Sequence, residues 1–205
     1  MATVTGIEIE RGMVGVYVDG TLTQRLRKAH FIKCPLNEGD EVDVERWIDR
    51  VAAAQFDDAW EAALNSLDVC ARTERELRRS LARRGYVAPA VDAVMERLRE
   101  TGLIDDARYA ERMAELQSRK PVGVYAFKRK LMAKGVSEDA AAQALEAFDD
   151  EQQQAACLEA AKKLWRKYEA LPPREGRAKL SQALARRGFG WESIESVIEE
   201  LGIEN

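Results

Sequence analysis

The chain has 205 residues, 46% of them hydrophobic and 33% charged, with 32 basic against 36 acidic side chains and a formal net charge of −4. It is long enough to bury a core, and no uncharged apolar run approaches the roughly 18 residues that a membrane span needs. Its N-terminus, MATVTGIEIERG, has neither the basic nor the apolar region of a secretory signal, and its widely spaced Cys34, Cys70 and Cys157 suit neither a disulfide framework nor a zinc site. A cytoplasmic protein is expected.

Residues 1 to 26 carry β signals: Val4, Ile7 and Ile9, then Arg11-Gly12, then Val14, Val16 and Val18 in alternation, closed by Asp19-Gly20 and followed by Thr21-Leu22-Thr23. β-Branched runs separated by glycine turns predict a hairpin or meander. Cys34 to Asp40, with Pro35, Asn37 and Gly39, reads as a loop. Asp43 is placed to cap a short helix bearing Val44, Trp47, Ile48 and Val51. The single histidine, His30, excludes chemistry that needs a His pair, and beside Phe31 it is expected to be a packing or surface residue.

Beyond about residue 56 alanine, leucine, glutamate and arginine dominate, and the sequence repeats. Gly85, Gly135 and Gly188 are spaced by 50 and 53 residues. Eight positions before them stand Leu77, Phe127 and Leu180, and four before stand Leu81, Leu131 and Leu184. The preceding residue is basic each time (Arg84, Lys134, Arg187), and the following one is apolar (Tyr86, Val136, Phe189). Each glycine is therefore expected just past a helix end in the left-handed conformation, with the next residue packing back on the leucine. A helix precedes each of these, marked by Trp60, Leu64 and Leu67, by Tyr109, Met113 and Leu116, and by Leu158, Trp165 and Tyr168; another follows each glycine.

The expectation is a mainly α chain: a β-rich extension with a short helix over 1–55, then three-helix repeats over 56–104, 105–151 and 152–205, stacked as an elongated, curved array. Between the first two repeats, Gly102 is to end one helix, Leu103 and Ile104 to pin the corner, and Asp105 to cap the next, with Asp106 in its first turn. Leu171-Pro172-Pro173-Arg174-Glu175-Gly176 reads as a stiff exposed linker.

Charge is segregated within each repeat. Residues 72–84 hold six arginines against Glu74 and Glu76, residues 119–134 six bases and no acid, and residues 174–187 five bases against Glu175. Residues 138–151 and 192–204 are the reverse, with six and five acids and no base. Basic ridges recurring in a stacked array suit an extended acidic or polyanionic partner. The candidate contacts are Arg75, Arg78, Arg79 and Arg83 in the first repeat, Lys128, Arg129, Lys130 and Lys134 in the second, and Lys179, Arg186 and Arg187 in the third. The helices after the glycines are acidic and would repel phosphate, so base-edge readout by a helix-turn-helix is not expected; contact with nucleic acid should be nonspecific and salt-sensitive. Phosphate chemistry would want a Gly-rich loop with Lys-Ser/Thr or clustered carboxylates for a metal, and neither pattern occurs.

The leucine-basic-glycine helix ends, the three-repeat layout and above all Gly-Leu-Ile-Asp-Asp-x-x-Tyr-Ala at 102–110 resemble the RecX family, bacterial regulators of the RecA recombinase. The resemblance covers residues 56–205 well, the N-terminal strands resemble a more variable extension, and Tyr109 stands where the family often has phenylalanine. What it implies is an all-helical, curved array that docks along the groove of the RecA–single-stranded DNA filament; the chain is expected to be a non-enzymatic monomer without cofactor that binds single-stranded DNA nonspecifically and more weakly alone. Such a protein limits filament extension and dampens recombinase and coprotease activity. The other reading left open by the residues is a free-standing nonspecific DNA-binding protein.

Overall fold

The computed structural model describes residues 1–118 and 122–203 and divides them into two compact units, one from Met1 to Asp105 and the other from Asp106 onward.

The first unit opens with strands β1 (Ala2–Glu10), β2 (Met13–Val18) and β3 (Thr21–Arg27). The loops between them, Arg11-Gly12 and Asp19-Gly20, have positive φ at both positions, which matches the right-handed twist of the flanking strands. The sheet gains a fourth strand that the sequence did not announce. A two-residue β4 (Glu41–Val42), between the expected loop and the expected helix cap, pairs antiparallel with Ala2 and Thr3, giving the order β3-β2-β1-β4. A short helix α1 (Lys28–Phe31) lies between β3 and β4.

The short helix expected after Asp43 and the first helix of the first repeat are one continuous 26-residue helix, α2 (Val44–Val69), capped by the Asp43 side chain on the Arg46 N–H. No breaker stands between Val51 and Trp60, and the buried stripe Trp47, Val51, Gln55, Ala59, Ala63, Ser66 keeps the helical period throughout. The boundary drawn at 55/56 falls inside it. The first half of α2 packs on the sheet, with Trp47 and Val51 against Val4, Val14, Val16 and Leu26. Its second half packs on α3 (Glu74–Arg83) and α4 (Ala88–Glu100), with Ala59 and Ala63 among Leu77, Leu81, Val94, Met95 and Leu98. The N-terminal extension thus folds onto the first repeat through a shared helix.

In the second unit α5 (Asp106–Ser118) and α6 (Val124–Lys134) are followed by α7 (Glu138–Ala144), which tightens into a 3-10 turn at Leu145–Ala147 before Phe148 adopts an extended backbone. The helix expected through Phe148 is cut short, yet Phe148 still reaches the core with Tyr109, Phe127, Leu131 and Val136. Helices α8 (Asp150–Trp165), α9 (Pro173–Arg186) and α10 (Trp191–Glu200) form the last three-helix cluster around Leu180, Leu184, Phe189, Ile194 and Ile198.

Of the segment expected to be an exposed linker, Pro172 to Glu175 are exposed, but from Pro173 on it is the start of α9. Pro173 occupies its first turn, where a missing N–H costs nothing, and Gly176 is buried against the Trp165 ring and the Tyr168 carbonyl.

Candidate anion-binding surface

The helix that carries each basic group ends the same way three times. Gly85, Gly135 and Gly188 have φ of 84°, 103° and 85°. The following N–H reaches back to the leucine carbonyl: Tyr86 to Leu81 at 3.4 Å, Val136 to Leu131 at 3.2 Å and Phe189 to Leu184 at 3.3 Å. This six-residue closure consumes orphan carbonyls and drives the apolar residue onto the leucine, which is why the pattern recurs in register. Gly102 ends α4 likewise, at φ 66°, with Leu103 and Ile104 both donating to the Leu98 carbonyl. Ile104 is buried, whereas Leu103 stays half exposed; Asp105 directly precedes α5, with Asp106 in its first turn. Tyr109 is buried under the Lys134 ammonium, 5.5 Å from the ring centroid.

Two of these glycines also permit close approach. A Cβ on Gly85 would meet the Met13 methyl at 2.6 Å, because the sheet covers that helix end; Arg27 Nε donates to the Arg84 carbonyl at 2.9 Å beside it. A Cβ on Gly188 would lie 2.1 Å from the Ala126 nitrogen, and one on Gly123 would lie 2.1 Å from the Gly188 carbonyl carbon. The N-terminus of α6 is therefore pressed onto the C-terminus of α9. The Gly123 N–H donates to the Arg187 carbonyl at 3.3 Å, and the Tyr125 N–H to the Gly188 carbonyl at 3.0 Å. Orphan donors of one helix satisfy orphan acceptors of another, positive dipole end against negative.

The candidate basic residues divide into engaged and free. On α3, Arg78 is tied by Nε to Glu74 at 2.7 Å and by Nη1 to Asp92 of α4, and Arg99 joins Glu74 at 3.5 Å. Burial opposes the Arg78 charge, but its hydrogen bonds to Asp92 and Glu74 outweigh that and raise its pKa. Arg75, Arg79 and Arg83 are exposed and make no hydrogen bond or ion pair among the described residues. On α6, Lys128 pairs with Glu138 at 2.8 Å, and that hydrogen bond holds the Glu138 carboxyl below the usual carboxylate range. Lys130 is exposed and unpaired among the described residues, and Arg129 Nη2 donates to the Arg186 carbonyl at 3.4 Å. On α9, Lys179 pairs with Glu175 at 2.7 Å, Arg186 Nε donates to the Gln182 carbonyl at 3.3 Å, and the Arg187 side chain is exposed without a partner among the described residues. Arg119 and Lys120, counted in the second basic run, lie outside the described residues.

The interlock of α6 and α9 thus brings Arg129 to the helix end that carries Arg186 and Arg187, with Arg186 57 residues further along the chain. Sequence reasoning counted Arg174 and Arg177 in the third basic run, with Arg174 also in the linker, left both out of the candidate contacts and passed over Trp191. The structure sets all three along one groove of α9 and α10. The available signal was the spacing of 174, 177, 178, 181, 182 and 185, which is one helical face.

Family models of RecX match three segments: its first three-helix domain at residues 59–98, its second at 105–145 and its third at 150–198. Regulatory protein RecX of Levilactobacillus brevis is 31% identical over 192 residues, covering 92% of this chain and 72% of that protein. The protein of the same name from Clostridium perfringens is 29% identical over 209 residues, covering 98% of this chain and 97% of the relative. Among solved structures, a crystal structure of regulatory protein RecX superposes with a TM-score of 0.66 at 27% identity over the full length of both chains. That of RecX from Lactobacillus salivarius gives 0.65 at 27% identity over 74% of this chain.

Proposed function

This chain belongs to the RecX family, and we propose that it binds the RecA–single-stranded DNA filament and limits its extension, dampening recombinase and coprotease activity. The relatives carry the name of regulatory proteins, which supports regulation rather than catalysis. In this reading the chain acts in the cytoplasm as a monomer, without cofactor, through its three three-helix repeats.

The observation that carries the reading is the junction of α6 and α9, where Arg129 reaches the Arg186 carbonyl and none of Arg129, Arg186 and Arg187 is paired with an acid among the described residues. Concentrated positive charge in one place favours a polyanion or an acidic protein face, whereas the paired Arg78, Lys128 and Lys179 serve their own helices first. Arg75, Arg79, Arg83 and Lys130 are further contacts in the same reading, and Lys134 lies over Tyr109.

The test is a combined charge reversal, Arg129→Glu, Lys130→Glu and Arg187→Glu, compared with Glu195→Lys and Glu199→Lys on α10. Substitutions at exposed positions usually change stability by about half a kcal/mol, so the fold should persist by circular dichroism. Inhibition of recombinase filament growth should require at least about ten-fold more of the basic-site variant, with a shallower salt dependence, and little more of the α10 variant. Wild-type inhibition by the basic-site variant overturns the assignment. Tight binding of the wild type to DNA, with no effect on a filament, would instead favour a free-standing DNA-binding protein.

A further inference from the structure

The second unit carries a groove that takes in Arg174 and Arg177 of the third basic run, two arginines that are not among the candidate contacts. Its floor is one face of α9, where Ala178 and Ala185 leave room for close approach, and its wall at one end is Trp191, the first residue of α10. The groove encloses about 510 Å³. At the other end Arg174 and Arg177 stand one helical turn apart, and neither makes a hydrogen bond or ion pair through its side chain among the described residues. The Gln182 amide between them and Trp191 is likewise without a partner among the described residues. No acid among the described residues lines the groove: Glu175 is engaged with Lys179, and Glu192 lines the separate α8–α10 face with Asp150 and Glu151.

Trp191 is 61% exposed, while Trp47 is 3% exposed and Trp60 and Trp165 are half-buried. An indole left in water forgoes the burial that Trp47 obtains, and it presents a flat π-face. Along the axis of α9 the rise to Ala185 is about 16 Å from Arg174 and about 12 Å from Arg177. Two cations at one end and a stacking surface at the other suit a chain that carries phosphates along one edge and flat rings along the other. A duplex hides its base faces in the stack, so single-stranded nucleic acid fits where double-stranded does not.

We propose that the groove of α9 and α10 binds a short run of single-stranded DNA, with its phosphates on Arg174 and Arg177 and one base stacked on Trp191. The inference rests on the reading above, in which the chain works on a nucleoprotein filament, and adds a direct contact to the DNA strand that the ridges do not require. Because every base has a π-face, the contact is sequence-tolerant; Gln182 supplies one hydrogen-bonding group beside it.

The full-length chain is titrated with a short oligothymidylate, with an abasic oligomer of the same length and with an acidic peptide, following tryptophan fluorescence and, separately, anisotropy of a labelled oligomer. Oligothymidylate should quench the wild type, and Trp191→Phe should remove most of that quench while holding affinity within a few-fold. Trp191→Ala should weaken binding about ten-fold, and Arg174→Glu with Arg177→Glu should weaken it and flatten its salt dependence. The abasic oligomer should bind more weakly than oligothymidylate. Undiminished quench in Trp191→Phe, equal affinity for the abasic oligomer, or tighter binding of the acidic peptide at this groove would each overturn the proposal. Capture of the recombinase filament is scored in parallel: filament binding without oligothymidylate binding sinks this inference alone, and the converse sinks the filament reading alone.

Discussion

The Gln55 side chain donates from Nε2 to Nδ1 of His30 at 3.2 Å, and this contact sets the tautomer of the chain's single histidine. The amide has no freedom to turn over, because its Oε1 accepts from the Val87 N–H at 2.8 Å and its Nε2 also donates to the Gly85 carbonyl at 3.1 Å. Nδ1 must therefore accept, and the proton sits on Nε2, which donates to Asp58 Oδ2 at 2.8 Å. His30 and Gln55 are 2% and 0% exposed, so the network ties α1, α2 and the end of α3 through a buried pair, with the half-exposed Asp58 at its edge. Gln55→Leu leaves a ring nitrogen, a carbonyl and an N–H unpaired, and the expected loss is at least about 2 kcal/mol, read from urea unfolding. A variant within about half a kcal/mol of wild type would show that the network is dispensable.

Asp58 adds a pH dependence whose sign follows from the same network. The hydrogen bond from His30 holds its pKa below the ordinary 3.8 against the opposing effect of burial, with lesser help from the charges of Lys33 and Arg27. A depressed carboxylate pKa stabilises the fold above the unfolded value, and the contribution is lost as pH falls through the folded one. Asp58→Asn should therefore unfold less steeply than wild type on acidification below about pH 4, as followed by circular dichroism. An unchanged acid limb would remove Asp58 from the account.

Two glycines with similar backbone angles should respond differently to alanine. Gly202 has φ 63° with nothing within 4 Å of an added Cβ, so Gly202→Ala meets only the left-handed penalty of about 1–2 kcal/mol. Gly188 has φ 85° and an added Cβ would overlap Ala126, so Gly188→Ala must also push α6 off α9. Its loss in thermal denaturation should exceed that of Gly202→Ala by at least about 2 kcal/mol. Equal losses would mean that the α6–α9 contact yields freely.

Trypsin should cut between α8 and α9 after Arg166 or Lys167, which lie in exposed turns, before it cuts after Arg174 or Arg177 inside the first turns of α9. Fragment masses after brief digestion decide this. Earlier cleavage at Arg174 would restore the exposed linker that the proline pair suggested.

Thiol labelling of the native chain should modify one cysteine quickly. Cys70 is exposed at the end of α2, whereas Cys34 and Cys157 are buried, and burial pushes the Cys157 thiol up to about 11. The thiolate is the reactive form, so Cys157 should label only when urea opens the last three helices. Fast labelling of two cysteines in buffer would contradict the packing of Cys157 in that core.

The sequence alone determined the parts of this protein whose physics closes within a few residues. A glycine past a helix end, a leucine four positions earlier and an apolar residue just after it form a complete hydrogen-bonded motif, so the ends at Gly85, Gly135 and Gly188 were legible without any knowledge of neighbours. The same holds for the glycine hairpins of the sheet and for the Asp43 cap. Tertiary structure decided which charges are free. Arg78 and Arg79 are adjacent letters in one basic run, but the rotation of α3 against α4 gives Arg78 the Asp92 carboxylate and leaves Arg79 in water. Lys128 and Lys130 divide in the same way over Glu138. The groove under Trp191, the fusion of two expected helices into α2 and the approach of Gly123 to Gly188 also depend on distant packing. Local hydrogen bonds fix the ends of a helix, whereas the side chains it leaves exposed are set by the surface it rests on.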